Sequence, residues 1–294
     1  MTAYAAVISL NSRLGAGAIA ESLARKLGTA VDLTLAFVGS SDEATAAARE
    51  AARHARIVIA VGGDGTVADV ATGIAHSNAT LGIVPAGSTN ITARSLGVPA
   101  NPRAAIQLLV DGHVAQPVDV GISGDRCFLH MAGAGFDAEI FRAANADLKK
   151  LLGWLAYLPA AAAALRLTPS LVTVRTDDAL LQAKSPLVLV ANGASAVAPS
   201  FRLHPSIVVD DGWLDVLMFT ATTPAQVAAT IGHLGSMRLD RSPYVVWQRT
   251  RSASIEADAP LSVELDGDIR GETPRTFSIL PKGMRVLIPA SPES

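Results

Sequence analysis

Three mainly apolar runs near the N-terminus constrain the fold of this chain more than any other feature of its sequence. They are Ala3–Leu10, Val31–Val38 and Arg56–Val61, each about the length of one strand. The stretches Ile19–Leu27 and Ser41–Ala55 between them are predicted to form helices, the second with its first residue as the N-cap. Buried strands that alternate with helices predict a parallel, Rossmann-like sheet, with ligands beyond the carboxyl ends of its strands.

The pattern of the sequence changes after about residue 121. Strand-like runs separated by turns then dominate, and helical patterns occur over residues 137–167 and 224–237. This change predicts an α/β domain over residues 1–121 and a mainly antiparallel β-sandwich domain over residues 122–282, with residues 283–294 returning to the first domain as a strand. The predicted strands of the second domain are Cys127–Met131, Leu171–Thr176, Leu187–Ala191, Trp213–Phe219, Ser252–Glu256 and Leu261–Leu265.

The composition excludes some classes of protein. With 294 residues, 50% of them apolar and 17% charged, the chain is long enough to bury two cores. Its 24 basic and 26 acidic residues nearly cancel and form no long run of one sign, which argues against nucleic acid as a partner.

The single cysteine, Cys127, and an N-terminus without the pattern of a signal peptide favour a reducing, cytoplasmic location. One apolar stretch, Leu151–Leu167, is interrupted by Arg166 and is short for a spanning helix, which takes roughly 20 residues. We therefore expect it to form a buried or interfacial helix.

A glycine-rich turn follows the third predicted strand. It reads Gly-Gly-Asp-Gly-Thr over residues 62–66, and a helix is predicted from about Val67. Glycines let the backbone approach a phosphate closely, and the N–H groups at a helix start favour an anion. The turn lacks the lysine of a P-loop and the glycine spacing of a dinucleotide fingerprint. Taken alone, it fits a tight turn as well as a phosphate site.

A second small-residue turn follows about twenty residues later. The apolar run Leu81–Pro85 ends in Ala-Gly-Ser-Thr-Asn over residues 86–90. If the two preceding strands are neighbours, both turns lie at one crevice of the sheet. The pair therefore favours a nucleotide site more strongly than either turn does.

On the basis of these two turns, the chain resembles the diacylglycerol kinase catalytic domain family, which includes bacterial lipid kinases and the sphingosine and ceramide kinases. The resemblance extends over nearly the entire chain. The resemblance implies a cytoplasmic, ATP-dependent and Mg²⁺-dependent kinase that phosphorylates the hydroxyl of diacylglycerol or a related lipid alcohol. It also implies a first domain of the NAD kinase and phosphofructokinase type. Further matching segments follow in the family's order: Val118–Gly121, Met131–Glu139, Lys149–Tyr157, Ala191–Gly193, Asp210–Asp215 and Val263–Asp268.

The resemblance assigns the nucleotide site to the two turns and to one residue near the N-terminus. The predicted nucleotide-binding residues are Asn11, Gly62, Gly63, Asp64, Gly65, Thr66, Val67, Ala68, Gly87, Ser88, Thr89 and Asn90. Phosphoryl transfer also needs a carboxylate that accepts the proton of the hydroxyl. The family's aspartate-glycine-glutamate turn here reads Asp266-Gly-Asp268, so either aspartate is a candidate base, while Asp-Gly between apolar residues also fits a plain hairpin turn.

By the same resemblance, Asp64 and Asp119 are candidate ligands of Mg²⁺, which prefers oxygen. A second, structural Mg²⁺ would use Asp211 with the backbone oxygens of Val208 and Trp213. Glu139 lies on the segment that contacts the acceptor head group in sphingosine kinases. These residues fit plain turns and a solvated helix as well.

Some positions depart from the family pattern. Ile91 replaces an aspartate, Ala68-Asp69 replaces asparagine-glutamate, Ser12 replaces a proline and Asp268 replaces a glutamate. Two alternatives therefore stay open: an NAD kinase-like enzyme that phosphorylates a small molecule, and a nucleotide-binding regulatory protein that has lost turnover. A lipid acceptor would bring transient contact with a membrane surface, and a homodimer is compatible with the sequence.

Overall fold

The computed structural model describes residues 2–12, 15–28, 30–135, 169–193 and 203–290. The predicted acceptor contact Glu139 and the predicted helix Leu151–Leu167 lie outside the described residues. The chain divides into two compact units. The first comprises Met1–Val120, Asp125–Leu129 and Leu280–Ser294, and the second comprises Gly121–Gly124 and His130–Ile279.

The first unit contains the predicted parallel sheet, in the order β2-β1-β3-β4, and the later part of β16 continues it in parallel with β4 through Arg285 and Val286. Its strands are β1 (Ala3–Ser9), β2 (Asp32–Val38), β3 (Ile57–Gly62), β4 (Thr80–Pro85), most of β5 (His113–Ser123), β6 (Arg126–Phe128) and the later part of β16 (Arg275–Pro289). Its helices are α1 (Ala16–Leu27), α2 (Ser41–Ala51), α3 (Asp64–Ile74), α4 (Ile91–Ser95) and α5 (Pro102–Val110).

The core of the first unit explains this arrangement. Strands β1 and β3 are buried along almost their whole length, so side chains of both faces pack against helices or neighbouring strands. Gly73 allows helices α2 and α3 to approach closely, since a Cβ atom at this position would lie only 2.6 Å from the Cβ of Ala48. The predicted cap was one residue late: Ser40 caps α2 by accepting a hydrogen bond from Glu43 N at 3.3 Å, and the helix ends at Ala51.

The second unit consists mainly of two antiparallel sheets in the described residues. The first has the order β16-β13-β8-β9, through the earlier part of β16, and the second has the order β12-β11-β10-β7-β14-β15; the antiparallel pairing agrees with the prediction for this domain. The predicted strand Cys127–Met131 is in fact divided between β6 and β7. The strands are β7 (Met131–Ala134), β8 (Ser170–Thr176), β9 (Leu180–Ser185), β10 (Leu187–Ala191), β11 (Leu214–Phe219), β12 (Val245–Thr250), β13 (Ser252–Ala257), β14 (Ser262–Leu265) and β15 (Asp268–Glu272), with helix α6 (Pro224–Gly235).

A further helical turn, Leu239–Arg241, follows α6. In the described ranges, no helix is both long and apolar enough to cross a membrane.

Candidate active site

The two small-residue turns lie side by side at the carboxyl edge of the parallel sheet. Strands β3 and β4 are paired neighbours, with Gly62 opposite Pro85, and Ala86 N donates to Gly62 O at 2.8 Å. Beyond this pair the backbones come into contact: a Cβ atom at Gly87 would lie 2.5 Å from the Cα of Gly63. Glycine is therefore required at position 87 by the close approach of the two turns.

The first turn leads directly into α3. The helix begins at Asp64, three residues before the predicted start, with Gly63 as an N-cap that has no side chain. The first N–H groups of a helix have no partners within it, and the positive end of the helix dipole adds to their attraction for anions. The stretch Asp64–Thr66 therefore presents backbone donors of the kind that bind phosphate.

A reciprocal pair of hydrogen bonds shapes the second turn. Gly87 N donates to Asn90 Oδ1 at 3.0 Å, and Asn90 Nδ2 donates to Gly87 O at 2.9 Å. Asn90 is buried and has a φ of 48°, a left-handed conformation that asparagine adopts more readily than most residues. The turn is fixed from within, while Ser88 and Thr89 at its tip are exposed.

Asp64 links the first turn to α4. Its Oδ1 accepts a hydrogen bond from Thr92 N at 3.0 Å. Its Oδ2 has no hydrogen-bond partner among the described residues, and the side chain is half-buried. The predicted partner Asp119 is almost fully buried, and its Oδ1 accepts from Lys282 N at 2.7 Å. One oxygen of Asp64 is thus outside the hydrogen bonds of the described residues, whereas the carboxylate of Asp119 binds the backbone of β16.

The remaining predicted nucleotide contacts lie on either side of these turns. Asn11 is exposed just beyond the carboxyl end of β1, the strand next to β3. Val67 and Ala68 are buried on α3 and pack its first turns against the sheet. Asn11 is therefore placed at the same edge as the turns, whereas the side chains of Val67 and Ala68 serve packing.

Sequence reasoning missed a charged cluster behind the first turn. Arg126 Nη1 donates to Ser41 Oγ and Thr45 Oγ1 at 3.1 Å and to Asp69 Oδ1 at 3.0 Å, and Nη2 donates to Asp42 Oδ1 at 2.7 Å. The guanidinium thereby ties α2 to α3, the helix that carries the turn. Asp69, noted in the sequence as a departure, is a buried partner in this cluster.

The Asp266-Gly-Asp268 segment forms the turn between β14 and β15, and its two aspartates differ in environment. Asp266 is buried, has a φ of 48°, and its Oδ1 accepts hydrogen bonds from His130 N and Met131 N, both at 2.9 Å. The side chain of Asp268 is 46% exposed and forms an ion pair with Arg270 at 3.1 Å. The buried carboxylate anchors the backbone, and the exposed one is accessible.

A third carboxylate, Glu264, belongs to the same turn and was not predicted. It accepts a hydrogen bond from Gly267 N. Burial raises the pKa of Glu264 to about 7, the hydrogen bond from Gly267 lowers it, and the charges of Asp266 and Asp268 raise it. The signal was present in the sequence as three acidic residues at every second position around one predicted turn.

The guanidinium of Arg249 lies beside Asp211, one of the residues predicted to bind a structural Mg²⁺. Asp211 Oδ1 accepts from Trp213 N at 3.1 Å, and Asp211 Oδ2 lies 3.2 Å from Arg249 Nη2. Within the described ranges, no group of three or more histidine, cysteine, aspartate or glutamate side chains is arranged to hold a metal ion.

Two family models cover most of the chain. The diacylglycerol kinase catalytic domain matches residues 7–122, and the YegS C-terminal NAD kinase β-sandwich-like domain matches residues 130–288. The two matched ranges correspond to the α/β and β-sandwich folds described above.

Individual relatives agree with these models. A Bacillus subtilis (strain 168) protein named "Diacylglycerol kinase" is 31% identical over 253 residues, which cover 84% of this chain and 82% of that protein. A Pseudomonas fluorescens protein named "Probable lipid kinase YegS-like" is 33% identical, with coverage of 81% and 79%. A solved structure of a diacylglycerol kinase from Bacillus anthracis str. Sterne has the same fold, with a TM-score of 0.75 at 22% identity and coverage of 98% and 97%.

Proposed function

Because this chain belongs to the family of diacylglycerol kinases and YegS-like lipid kinases and is a kinase, we propose that it transfers the γ-phosphate of ATP to the hydroxyl of diacylglycerol or a related lipid alcohol. The observation that carries the proposal is the backbone contact between Gly63 and Gly87. It joins two turns into one surface of backbone donors at the edge where parallel sheets bind ligands.

The triphosphate would bind to the N–H groups of Asp64–Thr66 and to the second turn, Gly87–Asn90. Asn90 holds the second turn in shape through its two hydrogen bonds to Gly87. When bound, Mg²⁺ would offset the charge of the phosphate oxygens. Asp64 suits this ion because its Oδ2 is an oxygen donor without a hydrogen bond in the described part of the chain.

We assign the proton acceptor to Asp268. Asp266 is the weaker candidate because its Oδ1 already accepts two backbone hydrogen bonds in a buried position. Asp268 is partly exposed, so its carboxylate is accessible to the hydroxyl of an acceptor. Its carboxylate would remove the proton from the acceptor hydroxyl as the phosphoryl group is transferred.

The experiment that tests the proposal supplies radiolabelled ATP and Mg²⁺ with diacylglycerol in detergent micelles, with glycerol, and with NAD in separate reactions. We expect label in the lipid fraction. Label in NAD alone would favour the NAD kinase-like alternative, and label in glycerol alone would remove the lipid acceptor. ATP binding by calorimetry without transfer to any acceptor would favour a regulatory protein that has lost turnover.

A lipid acceptor also predicts contact with a membrane surface. Diacylglycerol resides in the bilayer, so the protein would have to bind there transiently during each reaction. Sedimentation with vesicles should therefore recover more protein when the vesicles contain diacylglycerol. Equal recovery with and without it would count against this contact.

A further inference from the structure

The loop before β11 is held by an arginine at the place where the family resemblance suggests a structural Mg²⁺. Three oxygens converge on Arg249 Nη2: Ser206 O at 2.8 Å, Asp211 Oδ2 at 3.2 Å and Asp215 Oδ2 at 3.3 Å. One backbone carbonyl and two carboxylates are the donors expected around a divalent cation. Here they surround a positively charged nitrogen that belongs to the chain.

Further contacts fix the guanidinium in this position. Arg249 Nε donates to Asp215 Oδ1 at 3.2 Å, so both carboxylate oxygens of Asp215 accept hydrogen bonds from Arg249. Asp215 is only 1% exposed, and Trp247 Nε1 also donates to its Oδ1, at 2.7 Å. A buried carboxylate needs a compensating charge, and Arg249 supplies it. The hydrogen bonds that Arg249 donates to Asp215 raise the pKa of the guanidinium, which therefore stays charged.

The same geometry is unfavourable for a metal ion on Asp211. Asp211 Oδ1 accepts from Trp213 N at 3.1 Å, and its Oδ2 is next to the guanidinium. A divalent cation at this carboxylate would lie close to a fixed positive charge, and like charges in a partly buried place repel strongly. The donor set of Asp211, Val208 and Trp213 therefore does not suit Mg²⁺ while Arg249 is in place.

We propose that Arg249 takes the place of the structural cation in this chain. It cross-links the loop at Ser206 and Asp211 to strands β11 and β12, through Asp215 and through its own position on β12. The second unit then needs no divalent ion for its stability. Any Mg²⁺ requirement of the kinase reaction would come from the nucleotide site alone.

The test measures thermal stability in the absence of nucleotide, so its outcome does not depend on the proposed kinase activity. The melting temperature of the wild type should be the same in EDTA and in 5 mM MgCl₂ to within about 1 °C, a shift that corresponds to less than about 0.5 kcal/mol in a protein of this size. Arg249→Met keeps much of the side-chain bulk and removes the charge. It should lower the melting temperature in EDTA by about 5 °C or more, because Asp211 and Asp215 lose the positive charge that they share.

The decisive comparison is whether Mg²⁺ restores the thermal stability of Arg249→Met. In Arg249→Met the three oxygens are left without a cation, so MgCl₂ should raise its melting temperature, and the added Asp211→Asn substitution should abolish that rise. A wild type that is destabilised by EDTA and restored by MgCl₂, with the response lost in Asp211→Asn, would overturn the proposal. Should Arg249→Met fail to fold, this comparison of the wild type with Asp211→Asn still decides the question.

Discussion

Asp266 and Met131 bind each other in both directions: Asp266 Oδ1 accepts from Met131 N at 2.9 Å, and Met131 O accepts from Asp266 N at 2.8 Å. An asparagine at 266 keeps an oxygen acceptor and tolerates the left-handed conformation found there. We therefore expect Asp266→Asn to fold and to keep kcat/KM within about tenfold of the wild type, a change of about 1.4 kcal/mol in the barrier.

Asp268→Asn should behave differently, because the proposed proton acceptor would be lost. We expect kcat to fall by about 100-fold or more, with an unchanged melting temperature. Both variants replace an aspartate by an asparagine, two positions apart in the same turn, so each serves as the control of the other. An inactive Asp266→Asn beside an active Asp268→Asn would reverse the assignment of the base.

Gly87 leaves no room for a side chain, which predicts the effect of adding one. In Gly87→Ala the new Cβ would lie 2.5 Å from Gly63 Cα and 3.0 Å from Asn90 Oδ1, so the two turns must separate. We expect a loss of about 1–3 kcal/mol in the free energy of unfolding. ATP affinity, measured by calorimetry with Mg²⁺, should weaken by about tenfold or more, the equivalent of about 1.4 kcal/mol.

The matched control is Gly232→Ala, at an exposed position of α6 where a Cβ atom would meet nothing within 4 Å. It should leave ATP affinity unchanged and stabilise the helix by up to about 1 kcal/mol. If Gly87→Ala and Gly232→Ala bound ATP equally well, the contact between the turns would have no role in the nucleotide site.

The parallel sheet and its two turns were predictable because their signals are local. Near-continuous apolar runs specify buried strands, and glycine-rich turns directly after two of them specify where ligands bind. The start of α3 was placed at Val67 instead of Asp64 because the turn residues themselves enter the helix. Local patterns thus placed the two turns to within a few residues of their positions in the structure.

The partners of the charged residues were not predictable, because they depend on contacts between distant parts of the chain. Arg126 joins Asp69 across 57 positions, and Asp266 reaches His130 across 136. Sequence reasoning therefore could not separate the anchoring Asp266 from the accessible Asp268. Likewise, nothing local to Asp211 indicated that Arg249, on another strand, would lie beside it.

Asp177 stabilises the turn between β12 and β13 from a distant position. Its Oδ2 accepts hydrogen bonds from Arg251 N at 2.7 Å, Thr250 Oγ1 at 2.9 Å and Ser252 N at 3.2 Å. The bonds from the Arg251 N–H and the Thr250 hydroxyl hold the pKa of Asp177 below its usual value. The carboxylate is exposed, so we expect Asp177→Ala to cost about 1 kcal/mol at pH 7, the contribution of a typical hydrogen bond.

Because the pKa of Asp177 is lowered, the loss of stability in Asp177→Ala should depend on pH. A lowered pKa gives stability that is present above the unfolded value, about 3.9 for aspartate, and that is lost as pH falls through the folded value. The difference between wild type and Asp177→Ala in urea denaturation should therefore shrink in acid. Asp178→Ala, at the exposed neighbouring position, should show little loss at any pH. Equal losses in the two variants would contradict the role of Asp177.

Glu264 should give the opposite pH dependence. Burial raises its pKa to about 7 in the folded protein, whereas glutamate in an unfolded chain has a pKa of about 4.3. Between these values the folded protein binds the proton more tightly than the unfolded chain does. The stabilisation is therefore complete below the unfolded pKa and is lost as pH rises through the folded value.

Glu264→Gln should remove this loss, because glutamine does not ionise and its carbonyl can still accept the hydrogen bond from Gly267 N. The free energy of unfolding of the variant, relative to the wild type, should rise by up to about 3 kcal/mol between pH 5 and pH 8. Glu256→Gln makes the same chemical change at an exposed glutamate on β13 and serves as the matched control. Parallel stability profiles for Glu264→Gln and the wild type would show that Glu264 binds its proton equally tightly in the folded and unfolded states, which would contradict a raised pKa.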